Sequence, residues 1–246
     1  DARFQFYNTY NANGGRGRWQ WNVAKPPLAR MDALTPADFF GRYMVENTDP
    51  DIKIGVMMVA VSSLSLNCWH PDPEKYTKSL YVRNAIAGDT SSGDAATRWI
   101  TGLILELAPD GLLFNEMVRL GHVAMDEGVL KGIIMHQGEG GTGVPNTPAD
   151  GWPLMLKEIY DALLESWGMV PGDIPLVAGE TFTGETEWDI GKYKILDLNK
   201  YYPGKFYAVE AAGLERYPGD QYHFNVASKK TLGERYADKI LELLYK

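Results

Sequence analysis

Between Gly132 and Gly141 the chain reads Gly-Ile-Ile-Met-His-Gln-Gly-Glu-Gly-Gly. A short apolar run stops abruptly at His136, Gln137 and Glu139, which are separated by glycine. Such a run, bounded by turn residues, reads as a buried strand. Ionisable groups at a strand's end, with glycines that let other atoms approach closely, supply what a catalytic edge needs. Packing alone has no use for three such side chains in four positions, so the stretch points to an enzyme.

The rest of the chain repeats this alternation. Ile52 to Val61 reads as a strand, nearly all apolar, which is the pattern of a strand covered on both faces. It ends in Ser62-Ser63-Leu64-Ser65, a second polar strand end. Ile174–Ala178 and Phe206–Val209 are further strands. A helix is expected from an N-cap at Thr35, with Pro36 at its first position and Asp38 in its first turn, to about Asn47. Residues 95–108, 113–127 and 152–167 read as helices, the first two separated by Pro109-Asp110-Gly111. Ser228 is the expected cap of a last helix reaching about Tyr245, with Leu232, Tyr236, Ile240 and Leu243 on one face. Residues 1–30, 67–95 and 140–151 read as loops, and 181–204 carry no decisive pattern. Strands alternating with helices predict an α/β fold: a doubly wound, mostly parallel sheet with helices on both faces. In such sheets ligands bind beyond the carboxyl ends of the strands, where Ser62-Ser63 and His136-Gln137-Gly138-Glu139 both fall.

Composition narrows the chemistry. The 246 residues are enough for a single domain spanning 1–246. A net charge of −8 argues against nucleic acid as the partner and favours a neutral or weakly polar substrate. The one cysteine, Cys68, excludes an intrachain disulfide, and the four histidines have no metal-ligand spacing, so no metal or cofactor is expected. No apolar run reaches membrane-spanning length, and no signal peptide is present. Aromatics stack on sugar rings, and Trp19 and Trp21, in the N-terminal loop, are the candidates for such a contact.

Asp220-Gln221-Tyr222-His223-Phe224 stands just ahead of the last helix. Asp and His three apart on a loop can form one hydrogen-bonded unit, in which the carboxylate orients the imidazole and the other ring nitrogen faces a nucleophile. Alone, such a spacing is a weak signal. Its place after the last strand strengthens it.

Taken together, these pieces resemble the SGNH/GDSL hydrolases, and within them the acetylesterases of carbohydrate esterase family six and the sialate O-acetylesterase domain. The matching residues are Trp21, Pro26-Pro27-Leu28, Thr35 to Gly41, Ile54-Gly55-Val56 to Val61, Lys131 to Glu139, Asp220 to Phe224, Leu232-Gly233 and Tyr236-Ala237. The resemblance implies a three-layer sandwich and a serine esterase acting on an acetylated polysaccharide or oligosaccharide such as acetylxylan, secreted or periplasmic. It implies His223 as general base, Asp220 as its orienting acid, and an oxyanion hole from Gln137 and the backbone at Ser62-Ser63. His136 and Glu139 would support the site. Each oxyanion donor is worth about 3–4 kcal/mol of barrier.

The chain departs from the family in three places. It has no Gly-Gln-Ser-Asn nucleophile motif, and the expectation is that the first strand with its serine lies upstream of residue 1. Ser62-Ser63 replaces a usual Gly-Gly, which puts the oxyanion geometry in doubt, and Gly140 replaces a common serine. Nothing around Ser62, Ser63 or Ser65 has the pattern of a nucleophile elbow. The competing reading is a carbohydrate-binding relative that has lost its nucleophile. Retained Asp220, His223, Gln137 and Glu139 oppose it. A lipase-like member is disfavoured because no lid-like apolar segment is evident.

Overall fold

The structure is a computed structural model that describes residues 1–10, 17–30, 33–148, 150–182 and 195–245. The stretches 11–16 and 183–194 therefore lie outside the described residues. Six strands are described: β1 (Phe4–Asn8), β2 (Gln20–Val23), β3 (Ile54–Met57), β4 (Ile133–Met135), β5 (Leu176–Gly179) and β6 (Phe206–Val209). Eight α-helices accompany them: α1 (Pro36–Glu46), α2 (Pro73–Tyr76), α3 (Leu80–Ile86), α4 (Ala95–Leu107), α5 (Leu113–Glu127), α6 (Gly151–Ser166), α7 (Leu198–Tyr201) and α8 (Val226–Leu244).

The fold is the expected α/β class, with parallel pairing dominant. The strands form two three-stranded sheets, ordered β2-β1-β3 and β4-β5-β6. Of the described strands only β1 and β2 pair antiparallel; β1–β3, β4–β5 and β5–β6 are parallel. In the second sheet side chains alternate between two apolar layers, as a pleated strand requires. Ile133, Met135, Leu176, Ala178, Phe206 and Ala208 pack in the layer with α6. Ile134, Val177, Tyr207 and Val209 face the layer of α1 and α8. Phe4, Phe6 and Val56 of the first sheet join that same layer, so one helix pair backs both sheets.

The α1–α8 contact is the most extensive between helices. It depends on Gly233, where an added Cβ would stand 2.4 Å from the Pro36 carbonyl oxygen and 2.9 Å from Phe39 Cβ. The buried Asp38 carboxylate fixes the start of α1: it accepts from the Thr35 N–H at 2.7 Å and from the Leu28 N–H at 2.8 Å. The expected cap at Thr35 is thus present, and the same carboxylate pins the Pro26-Pro27-Leu28 segment.

Several boundaries differ from expectation. The N-terminal stretch is not all loop, because Phe4–Asn8 and Gln20–Val23 pair as β1 and β2. The interval 67–95 holds α2 and α3, capped by Asp72 and Ser79. Strand β3 ends at Met57 rather than Val61, because its last ladder partner is Tyr7. Beyond it, side chains take the place of a partner strand: Thr9 Oγ1 donates to the Met58 carbonyl at 3.2 Å and Tyr10 Oη to Ala60 at 2.9 Å. Strand β5 begins at Leu176, since Pro175 has no N–H for the ladder. The last helix starts at Val226. Its cap is Asn225, whose Oδ1 accepts the Ser228 N–H at 2.8 Å, while Ser228 Oγ accepts the Glu215 N–H at 2.7 Å. Among the described residues no helix is long and apolar enough to cross a membrane.

Gly233→Ala forces the α1 backbone away and is expected to lower unfolding free energy by about 1–3 kcal/mol. Urea denaturation checks this, and an unchanged midpoint would refute the close-approach argument.

Candidate active site

The segments leaving β3 and β4 converge at their carboxyl ends. Leu66 N–H donates to the Gly141 carbonyl at 2.9 Å and Asn67 N–H to Thr142 at 3.0 Å. Gly140 makes the approach feasible, because a Cβ there would lie 2.5 Å from the Leu64 oxygen.

Gln137 sits between these segments. The Trp152 indole N–H donates to its Oε1 at 2.8 Å, and its Nε2 donates to the Leu64 carbonyl at 3.3 Å. An indole N–H can only donate, so it determines which end of the amide is oxygen. One Nε2 hydrogen remains for a ligand. Ser62 and Ser63 occupy an exposed turn beside Leu64. Ser63 has φ +61°, the left-handed region that favours glycine, which is the residue the family pattern carries there.

The Asp220–His223 unit is a self-contained turn. Tyr217 N–H donates to the His223 carbonyl at 2.7 Å, closing the loop, and Phe224 anchors it in the core. The Asp220 Oδ1 accepts the Tyr222 and His223 N–H groups at 2.7 and 2.9 Å, and Oδ2 lies 2.6 Å from His223 Nδ1. Partial burial works to raise the Asp220 pKa, but these donors outweigh it and hold the carboxyl at about 2. An ionised carboxylate can only accept, so Nδ1 carries the proton and Nε2 presents its lone pair. His223's side chain is 71% exposed, which leaves Nε2 open to a reactant.

His136 is exposed at the end of β4. Desolvation lowers its pKa, Glu139's charge opposes the shift, and His223 reinforces it. Tyr236 Oη spends its one hydrogen on the Met135 carbonyl, so its oxygen accepts from His136 Nδ1 at 3.3 Å. In the tautomer that satisfies this contact, His136 Nδ1 carries the proton. A Cβ at Gly179 would fall 2.0 Å from Tyr236 Oη, so this contact needs glycine.

The structure therefore brings His136, Gln137, Glu139, Asp220 and His223 to one end of the sheets. Trp19 and Trp21 stand apart, on and before β2, the outer strand of the first sheet. Trp21 packs edge-on against Tyr7 at 5.3 Å and covers Gly55. The guanidinium groups of Arg18 and Arg119 lie 4.3 and 4.5 Å from the centre of a Trp19 ring. Cys68 is buried and its thiol is pushed up to about 11 by desolvation, so it offers no thiolate. Sequence reasoning missed Trp152 and the hydroxyl of Tyr236. The second had a signal, since Tyr236 falls on the core face of the last helix with a hydroxyl to satisfy.

Ser63→Gly relieves the left-handed backbone. The expected gain is about 1 kcal/mol, or roughly 2–4 °C in Tm by calorimetry; a lower Tm would show that the serine side chain holds the turn. Asp220 has a depressed pKa, so its contribution to stability is complete above the ordinary carboxylate range and is lost as pH falls through about 2. Melting curves of wild type and Asp220→Asn should therefore diverge near neutral pH and converge as pH drops toward 2. A gap that stays constant would contradict this.

Residues 13–242 match the family described as "Carbohydrate esterase, sialic acid-specific acetylesterase". The chain is also similar in fold to a solved protein of Arabidopsis thaliana, with a TM-score of 0.63 and 13% identity, over 98% of this chain and 82% of that one. That likeness concerns the fold alone. The family match spans nearly the whole chain and falls on the convergent His, Gln, Glu and Asp-x-x-His groups: the protein belongs to the carbohydrate esterase family of the sialic acid-specific acetylesterase type, whose chemistry is ester hydrolysis.

Proposed function

We propose that the protein is a serine-dependent carbohydrate O-acetylesterase that removes acetyl groups from a glycan such as acetylated xylan. The observation that carries this reading is the Asp220–His223 pair at 2.6 Å, with Nδ1 protonated and Nε2 open. In the proposed reaction a serine Oγ attacks the acetyl carbonyl while His223 Nε2 takes its proton. Asp220 stabilises the resulting imidazolium. The free Gln137 Nε2 hydrogen and a backbone N–H at Ser62 or Ser63 bind the oxyanion. His223 then protonates the departing sugar oxygen, and water, activated the same way, releases acetate from the serine.

The serine is proposed to come from a strand lying between the two sheets. Strand β3 pairs only with β1, and β4 only with β5, among the described residues. The segments after these two strands are already bonded to each other, so an added parallel strand would end against Leu64 and Gln137. It would turn two short sheets into one, within a single esterase domain. A glycan substrate places the protein outside the cytoplasm, secreted or periplasmic.

A second reading is a carbohydrate-binding relative without a nucleophile. It is favoured by one observation: no described residue hydrogen-bonds to His223 Nε2. Acetate release separates the two. The polypeptide with its serine-bearing strand should hydrolyse a chromogenic aryl acetate and acetylated xylan. His223→Ala should reduce kcat/KM by about 10⁴-fold, and Gln137→Ala by about 10²–10³-fold. Glycan binding that persists in both variants, with no turnover in wild type, would replace the esterase reading with the binding one.

A further inference from the structure

Two consecutive side chains at the end of β4 leave the sheet on opposite faces. Along the strand, Ile134 packs in the layer of α1 and α8, and Met135 in the layer with α6. The alternation of a pleated strand continues past the ladder. His136 meets Tyr236 of α8 and Phe224, whereas Gln137 meets Trp152 of α6. The loop that carries the base is on the His136 side, because Phe224 follows His223 and its ring centre lies 5.9 Å from that of His136. In the proposed reaction the ester carbonyl oxygen lies at Gln137 and the departing sugar oxygen at His223. The sugar then extends over the His136 side of the strand end, and the acetyl carbonyl over the Gln137 side.

Two contacts hold the His136 ring, and neither uses Nε2. Nδ1 donates to Tyr236 Oη at 3.3 Å, and the buried Phe224 packs against the ring at an interplanar angle of 58°. With Nδ1 donating, Nε2 of the neutral ring is an acceptor. No described residue hydrogen-bonds to Nε2, and the side chain is exposed. The charges that face the ring are those of Glu139, which favours an imidazolium, and His223, which opposes it. Desolvation outweighs Glu139 and holds the ring below the ordinary histidine pKa. At about pH 8, therefore, Nε2 accepts and does not donate. Neighbouring oxygens on a sugar lie about one hydrogen-bond length apart. A leaving oxygen placed at His223 sets the next hydroxyl beside it, on the side of the strand where His136 offers its lone pair.

We propose that His136 Nε2 accepts a hydrogen bond from the free sugar hydroxyl next to the acetylated one, so that the enzyme selects acetyl esters with a free neighbouring hydroxyl over those without. The proposal rests on the glycan-esterase reading, so one arm of its test contains no ester. In the first arm, the polypeptide with its serine-bearing strand is given methyl 2-O-acetyl-β-xyloside and its 3-deoxy analogue, each normalised to its alkaline hydrolysis. Wild type should favour the first by about tenfold in kcat/KM. His136→Phe should bring the ratio close to one. The ratio decides, whatever the absolute rate, because a general effect on folding or on the base acts on both substrates alike. A ratio near one in wild type, or one that His136→Phe leaves unchanged, would overturn the proposal. In the second arm, nitrogen-15 NMR of the histidine rings at about pH 8 follows a titration with xylotriose. The His136 Nε2 resonance should move as its lone pair gains a donor, with Nδ1 nearly still. No movement of Nε2 at saturating xylotriose would overturn the proposal even where the esters turn over. Absence of acetate release together with the expected Nε2 response would count against the esterase reading alone.

Discussion

The rest of the structure depends on the contact between α1 and α8. With no side chain at Gly233, the backbones of the two helices come within van der Waals distance, and the pair presents one continuous apolar surface. Phe4, Phe6 and Val56 from one sheet and Val177 and Val209 from the other are buried against it. The two sheets share no described ladder, so this layer does for them what interstrand hydrogen bonds do elsewhere. Gly41 repeats the device one layer down, where the Phe4 ring takes the place a Cβ would need. Helix packing, rather than strand pairing, brings the ends of β3 and β4 together.

How much of this was legible in the sequence follows from the range of the forces involved. Strand β4 and its polar end were readable because an apolar run meets His136-Gln137-Gly138-Glu139 within one short segment. The break between α4 and α5 was readable from Pro109-Asp110-Gly111, and the start of α1 from Thr35 and Asp38, since caps and breakers act locally. Strand β1 was not: Phe-Gln-Phe-Tyr-Asn is short, and it becomes a strand only by pairing with β2 and β3. Helix α3 has seven residues, too few for an apolar period to declare itself. For Gln137, the residue type was a sound guide to its place in the site, but Trp152 lies fifteen residues on, in a helix whose pattern shows only a buried face. Trp19 and Trp21 show the converse. Both are half-buried; their loop-like surroundings are in part an antiparallel pair, and each ring has a neighbour within the chain.

The two imidazoles at the site are set to different tasks by what holds their Nδ1. Asp220 gives His223 a negative partner, so a proton gained at Nε2 is stabilised as it arrives. Tyr236 gives His136 only a neutral oxygen, and desolvation lowers the ring's pKa against the opposing charge of Glu139. A charged His136 would oppose the imidazolium at His223, as the repulsion between the two rings indicates. In the proposed reaction an uncharged His136 would favour His223 as base, and the Tyr236 hydroxyl, with the room that Gly179 leaves it, sets the His136 ring.

The site also divides mechanically. Gln137 and the turn after β3 form a floor tied to the core through Trp152, Leu64 and the paired backbone bonds at Gly141 and Thr142. Asp220 and His223 ride on a solvent-facing loop whose anchors are Phe224 and the bond from Glu215 to Ser228. In the proposed reaction the oxyanion donors would thus be fixed by the fold, whereas His223 is held by Asp220, itself held by two backbone N–H groups. That arrangement explains why three donors converge on one small carboxylate. A loop with few core contacts can still hold an imidazole in register if the orienting acid is itself immobilised, and Asp220 supplies that rigidity locally where packing does not.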